Sequence, residues 1–227
     1  MVSRKDAEKL NRLAELVREK LVDAPGCHDW GHTERVLKNA VDIASDSESP
    51  AANATIVAAA ALLHDIARPE EFTSNGKICH AKKGAEIAPD IARQAGFDDK
   101  NTLEKIASCV LKHRYRGKHA PPTTIEEKIV FDADKLDSLG AVGVARAIHF
   151  SGKIGSTLHN SEKEALESEP YGEGDSAFRE YLVKMRRIPD RMTTPAGKRL
   201  ANERLDFTKR FFEELGRETG IGIDKNT

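Results

Sequence analysis

Several things are scarce or missing in this chain, and each absence excludes something. Aromatic residues make up only 5% of it, with a single tryptophan. The core must therefore be built from Ala, Leu, Ile and Val, which suits packed helices. No run reaches the roughly 18 apolar residues that a membrane span requires, so no membrane partner is expected. Lys and Arg number 36 against 37 Asp and Glu. Charge this evenly balanced argues against nucleic acid or a membrane surface as a partner recruited by overall charge. Cysteine is rare, and Cys27, Cys79 and Cys109 form an odd, widely spaced set. They read as reduced thiols of a cytoplasmic protein, not as a disulfide framework. There is no internal repeat, no alternating strand pattern and no Gly-rich phosphate loop. The opening Met1-Val-Ser-Arg-Lys-Asp leads into an amphipathic helix and not a signal peptide. The 227 residues fit one large domain, or one with an appendage.

Helical periodicity dominates what is there, and the fold class it predicts is all-α with about nine helices. Leu10, Leu13, Leu16, Val17 and Leu21 stripe a first helix. A second runs from about His28 to Ser45. A third, from Asn53 or Ala54 to Ala67, is apolar nearly all round and so is buried on most sides. Phe72 to Lys77 is a loop by composition. Helices follow over about 81–95 and 101–113. Thr124 with Glu127 makes a capping box for the sixth, and a seventh covers about 139–150. Residues 151–175 are Gly-, Ser- and Glu-rich and read as an extended loop or lid. Two last helices cover about 175–187 and 195–218, the second started by Thr194 as N-cap and Pro195 as first helical residue.

His64-Asp65 closes the apolar third helix, and this is the most informative pair in the chain. Ionisable side chains in a core need partners, and a divalent cation suits both an imidazole and a carboxylate. Upstream stands His28-Asp-Trp-Gly-His32. Downstream come His80, His113 and Asp132-Ala-Asp134-Lys135-Leu-Asp137. One His, then His-Asp, then Asp, each on its own helix, can converge on one ion. Asp134 and Asp137 share a face at spacing three, while Asp132 points elsewhere.

These residues resemble the HD phosphohydrolase superfamily, whose signature is His, His-Asp and Asp as metal ligands on a helical bundle. The likeness extends to His80-Ala-Lys-Lys83-Gly-Ala, Lys112-His113-Arg114-Tyr-Arg116-Gly, Asp132 to Ala141 and Met192-Thr-Thr-Pro-Ala-Gly. These segments are similar to its YedJ/YpgQ-like branch and cover most of residues 20–215. The resemblance implies a single HD domain over 1–227, with a core of about 20–150, the loop or lid over about 151–175 and the C-terminal helices over about 175–218. It implies His32, His64, Asp65 and Asp134 as metal ligands. The ion itself stays open among Mn, Mg, Fe, Co, Ni and Zn. One departure concerns Asp175-Ser-Ala-Phe178-Arg179-Glu-Tyr181, which lacks a His that the branch often carries there.

The implied activity is metal-dependent hydrolysis of a nucleotide, with nucleoside triphosphate pyrophosphohydrolysis as one form, or of a related small phosphate ester. A small phosphorylated molecule is then the partner, and homo-oligomerisation stays open. Asp65, His80 and His113 are the candidate catalytic residues. The two histidines are read as phosphate-contacting or proton-transferring groups beside one ion. Arg35, Lys83, Arg116 and Lys135 are candidate phosphate-binding cations. Two alternatives remain: a di-iron oxygenase on the same fold, and a non-catalytic signalling domain that keeps the metal for stability.

Overall fold

The computed structural model describes residues 2–22, 24, 28–46, 51–114 and 120–221. Among them are eleven α-helices and two 3₁₀ turns, with no strand. The chain divides into two compact units, residues 1–135 with 193–197, and residues 136–192 with 198–227.

The first unit holds α1 (Arg4–Lys20), α2 (Trp30–Ala44), α3 (Ala54–Leu63), α4 (Arg68–Thr73), α5 (His80–Gln94), α6 (Lys100–Lys112) and nearly all of α7 (Ile125–Leu136). Asn53 caps α3 by accepting from the Thr55 and Ile56 amides. Every residue from Ile56 to Leu63 is buried, because α1, α2, α5 and α6 all pack against this helix. Leu13 and Val17 of α1 and Ile106 and Val110 of α6 belong to the same core. Burying each such aliphatic side chain contributes roughly 1.5–3 kcal/mol. The apolar run therefore fixes α3 at the centre of its unit, and its last turn delivers His64 and Asp65 there.

Gly84 shapes the neighbouring contact. A Cβ on it would lie 3.1 Å from Val110 Cγ1 and 3.5 Å from Ile66 Cγ2. Glycine inside a helix costs about 1 kcal/mol relative to alanine. Here it lets α5 lie close on α6 and on the turn after α3. Asn39 of α2 donates to the Ala133 carbonyl of α7 at 3.0 Å, tying a fourth helix to the same place. At the start of α7 the Glu127 carboxylate accepts from the Thr124 amide while the Thr124 hydroxyl accepts from the Glu127 amide, as the capping box predicts.

Asp132 has a structural task. Its carboxylate accepts from the amides and hydroxyls of both Thr193 and Thr194 at 2.7–2.9 Å. The Thr194 hydroxyl then accepts from the Gly197 amide at 3.0 Å, which caps α11 (Pro195–Thr219).

In the second unit come α8 (Gly140–Lys153), α9 (Glu162–Glu167), α10 (Ala177–Val183) and the 3₁₀ turns Met185–Arg187 and Pro189–Arg191. Phe178, Tyr181 and Phe212 form its aromatic cluster, with ring centroids 5.1–6.1 Å apart. Asp137 pairs with Arg146 at 2.6 Å.

Three details depart from the sequence reading. Helix α3 stops at Leu63, four residues early, because the His64 ring takes up the Ala61 carbonyl. Helix α4 occupies a stretch just before and into the expected loop, started by Pro69 and two glutamates in its first turn. The 151–175 stretch carries α9, with a capping box of Ser161 and Glu164, and bonds back on itself through Thr157 N to Glu173 O at 2.8 Å and Asn160 to Gly174 O at 3.0 Å. No helix among the described residues is long and apolar enough to cross a membrane.

Candidate metal centre

Helix ends build this site. His64 and His113 are the C-cap residues of α3 and α6. His80 is the first residue of α5, and His32 lies in the first turn of α2. Carbonyls of a last helical turn lack intrahelical partners. The His64 ring donates its Nδ1 proton to the Ala61 carbonyl at 2.7 Å, and the His113 ring donates to the Val110 carbonyl at 2.6 Å. A carbonyl can only accept, so Nδ1 carries a proton in both rings, and in the neutral form Nε2 is the nitrogen with the lone pair.

The Nε2 atoms fall into two groups. His64 Nε2 is 3.1 Å from His32 Nε2. His32 Nε2 is 3.5 Å from Asp65 Oδ2 and 3.5 Å from Asp134 Oδ1. All three other side chains are buried, and Asp134 nearly so. Ligand atoms on an ion with bonds of about 2.0–2.2 Å stand about 3.0–3.5 Å apart, so this donor set fits a divalent cation in spacing and in chemistry. The other oxygen of Asp65 faces a second set. Oδ1 is 3.4 Å from His80 Nε2 and 3.4 Å from His113 Nε2, and those nitrogens are 3.2 Å apart.

The protonation states suit ligation. Burial alone would raise Asp65, but Arg68, His64 and His28 outweigh it and hold the carboxyl well below the usual range. Asp134 is likewise held well below, burial being outweighed by Lys135 first and then His32 and His64. Burial pushes His64 down to about 4 and His80 down to about 2. Ionised carboxylates and neutral imidazoles are the forms a cation needs. His80 Nδ1 faces Glu71 Oε2 and His113 Nδ1 faces the Val110 carbonyl, so a neutral ring at either place turns a bare Nε2 toward Asp65.

The pattern of the family described as the HD domain matches residues 29–139. The uncharacterized protein YpgQ of Bacillus subtilis (strain 168) is 30% identical over 234 residues, covering 98% of this chain and 99% of that protein. The chain belongs to the HD-domain family, in its YpgQ-like branch. Among solved structures, Bacillus subtilis YpgQ in complex with ADP aligns with a TM-score of 0.67 at 26% identity, over 94% of this chain and 96% of that one. An HD-superfamily hydrolase from Bacillus thuringiensis aligns with a TM-score of 0.71 at 25% identity, over 95% and 98%. The fold is that of the HD-superfamily hydrolases.

Of the four cations expected to hold phosphate, three lie among the described residues. Lys135 is buried, with its ammonium between Asp134 Oδ2 at 2.5 Å and the His113 carbonyl at 2.9 Å. It fastens a carboxylate of one group to the backbone of the other. Lys83 is half-exposed, 3.5 Å from Glu86. The Arg35 guanidinium folds back beside Gly31 and Asp29. Arg116 lies outside the described residues.

His28 does not share a helical face with His32. It precedes the N-cap Asp29, and its Nδ1 donates to Asp65 Oδ2 at 2.8 Å. Cys79 accepts from Arg114 at 2.8 Å and belongs to neither donor set. Sequence reasoning missed the roles of Arg68 and Glu71. Arg68 donates to Asp65 at 2.8 Å and to Glu71 at 2.7 Å. The available signal was Arg68-Pro69-Glu-Glu71 itself, a helix start with Pro and acidic residues in its first turn.

Proposed function

We propose that this protein is a metal-dependent phosphohydrolase acting on a nucleotide, with nucleoside triphosphates the first class to test. The observation that carries the reading is the meeting of His32, His64, Asp65 and Asp134, with imidazole nitrogens and ionised carboxylates at ligand spacing. These four would hold the ion. When bound there, a divalent cation polarises a phosphoryl oxygen and lowers the pKa of water by several units.

The chain's own groups do the rest. His28 and Arg68 both donate to Asp65, and this fixes the plane of its carboxylate and keeps it ionised. Lys135 does the same for Asp134. Arg114 follows His113 directly and is 3.4 Å from Glu71, so it supplies positive charge on the His80 side of the site, where a phosphate would sit. Arg35, Lys83 and Arg116 remain candidate phosphate contacts. The ADP in the Bacillus subtilis relative supports a nucleotide over other phosphate esters.

A second reading is a binuclear centre, and the His80–His113 pair favours it. Two Nε2 lone pairs facing each other at 3.2 Å beside a carboxylate oxygen repel unless a cation lies between them. A di-iron oxygenase would use the same groups, and a bound air-sensitive iron centre would identify it.

The deciding experiment is a screen of the metal-loaded protein against nucleoside mono-, di- and triphosphates and simple phosphate esters, with orthophosphate and pyrophosphate scored separately. Release of either from a nucleotide, abolished by chelator and by Asp65→Ala, is the expected result. Turnover that survives complete chelation would overturn the metal-dependent reading.

A further inference from the structure

The three buried histidines with assignable tautomers are oriented by different means. His64 and His113 end their helices, so each finds a carbonyl three residues back, Ala61 and Val110. His80 begins its helix. A helix N-terminus presents amide N–H groups and no free carbonyl, so the His80 Nδ1 proton needs an acceptor from elsewhere. Glu71 provides it. Its Oε2 accepts from His80 Nδ1 at 2.7 Å.

Glu71 is itself held. The same oxygen accepts from Arg68 Nη1 at 2.7 Å, and Oε1 lies 3.4 Å from Arg114 Nη2. Arg68 Nε donates to Asp65 Oδ1 at 2.8 Å, and that oxygen is 3.4 Å from His80 Nε2. Asp65, Arg68, Glu71 and His80 thus close a ring of four side chains. Glu71 is mostly buried and His80 almost completely so, which leaves water little chance to substitute for either.

We propose that Glu71 is a positioning residue of this site. It holds His80 as the Nδ1–H tautomer and aims its bare Nε2 at Asp65 and His113, while Arg68 locks the pair to the metal-facing carboxylate. Short helix α4 is therefore the arm that sets His80. The functional consequence rests on the hydrolase reading above; the tautomer does not.

The test uses the full chain with Glu71→Gln and Glu71→Leu, and with Glu71→Asp as the charge-conserving control. Long-range ¹H–¹⁵N correlation spectra report which His80 nitrogen carries the proton, independent of activity. Wild type shows Nδ1–H at His80. Glu71→Leu shifts His80 toward Nε2–H, and Glu71→Gln shows a mixture, because an amide can accept or donate. Removing a carboxylate behind a metal-facing imidazole weakens metal binding or turnover by about 10–100-fold. The loss should appear in Mn²⁺ affinity and in kcat, with KM changed less than threefold, and Glu71→Asp should recover part of it. If one variant fails to fold, as judged by circular dichroism, the other carries the measurement.

His80 keeping Nδ1–H in Glu71→Gln and Glu71→Leu overturns the proposal. So does unchanged Mn²⁺ affinity and kcat in both. A chain that hydrolyses no phosphate ester, yet whose His80 tautomer changes in these variants, sinks the hydrolase reading and leaves Glu71 in its positioning role. A chain that hydrolyses nucleotides equally well with and without Glu71 does the reverse.

Discussion

His80 and His113 point Nε2 at Nε2 across 3.2 Å, and as neutral rings neither has a proton to place between them. Each already donates from Nδ1, to Glu71 and to the Val110 carbonyl. Asp65 Oδ1 stands 3.4 Å from both nitrogens, and its other oxygen faces His32. One carboxylate therefore addresses two donor sets, and counting bound ions distinguishes one occupied set from two. Elemental analysis after Mn²⁺ loading and gel filtration should find about two ions per wild-type chain. His80→Ala should hold one and Asp65→Ala none. One ion in both wild type and His80→Ala would leave only the first set as a binding site. Two ions in Asp65→Ala would remove that residue from the centre altogether.

The two lysines named by the sequence should behave oppositely. Lys135 is buried between Asp134 and the His113 carbonyl, whereas Lys83 makes a partly exposed contact with Glu86 at 3.5 Å. Removing one member of a buried ion pair costs about 3–5 kcal/mol, while an exposed pair is worth about 0–1 kcal/mol. Lys135→Met should therefore lower the melting temperature and weaken metal binding by about 10–100-fold. Lys83→Ala should leave both near wild type, with any effect confined to substrate KM. Thermal melts and Mn²⁺ titrations on the two variants check this, and equal effects in both would contradict the assigned roles.

How much of this was legible in the sequence follows from the range of each contact. The helices were legible because burial repeats every three or four residues and because caps are local: Asn53 before α3, Thr124 with Glu127, Thr194 before Pro195. His64-Asp65 stood out because two ionisable groups end an apolar run. The resemblance supplied the choice of His32 over His28 and of Asp134 over its neighbours. What stayed hidden depends on contacts with no period. Glu71 meets His80 across a turn nine residues long, and the loop-like composition of Phe72 to Lys77 masked the short helix that carries it. Lys135 reads as a cation beside a metal ligand, and nothing in its spacing reveals that the His113 carbonyl takes one of its protons. The tautomers of His80 and His113 were out of reach for the same reason.

Gly197 should tolerate no side chain. A Cβ there would lie 2.4 Å from Asp132 Oδ2 and 2.7 Å from the Thr194 hydroxyl. Those atoms form the cap of α11, so they cannot retreat without breaking it. Overpacking of this kind costs about 1–3 kcal/mol, and loss of the cap adds about 1 kcal/mol. Gly197→Ala should lower the denaturation midpoint by a corresponding amount, whereas Gly152→Ala, where a Cβ meets nothing within 4 Å, should leave it unchanged or raise it. Urea melts of both variants test the contrast. A Gly197→Ala chain as stable as wild type would show that the cap contributes little.

Glu127 should make the fold acid-sensitive in a defined window. Its carboxylate accepts from Ser108 Oγ at 2.6 Å, from Lys112 Nζ at 2.8 Å and from the Thr123 and Thr124 amides at 2.7 and 3.1 Å, linking α6 to the start of α7. Burial opposes the charge, but these donors outweigh it and pull the group down from 4.5 to about 2. A carboxyl with a depressed folded-state pKa favours folding in full wherever it is ionised in the unfolded chain as well, above its unfolded pKa, and loses that contribution as the pH falls through the folded value. The stabilisation is therefore complete above pH 4.5 and disappears as the pH falls toward 2. Its size is on the order of 2–3 kcal/mol. Glu127→Gln should be less stable than wild type by about that much at pH 7, and the gap should close between pH 4.5 and 2. Paired urea melts across this range measure it. A gap that stays constant down to pH 2 would mean that the hydrogen-bond geometry of the side chain, and not its charge, joins the two helices.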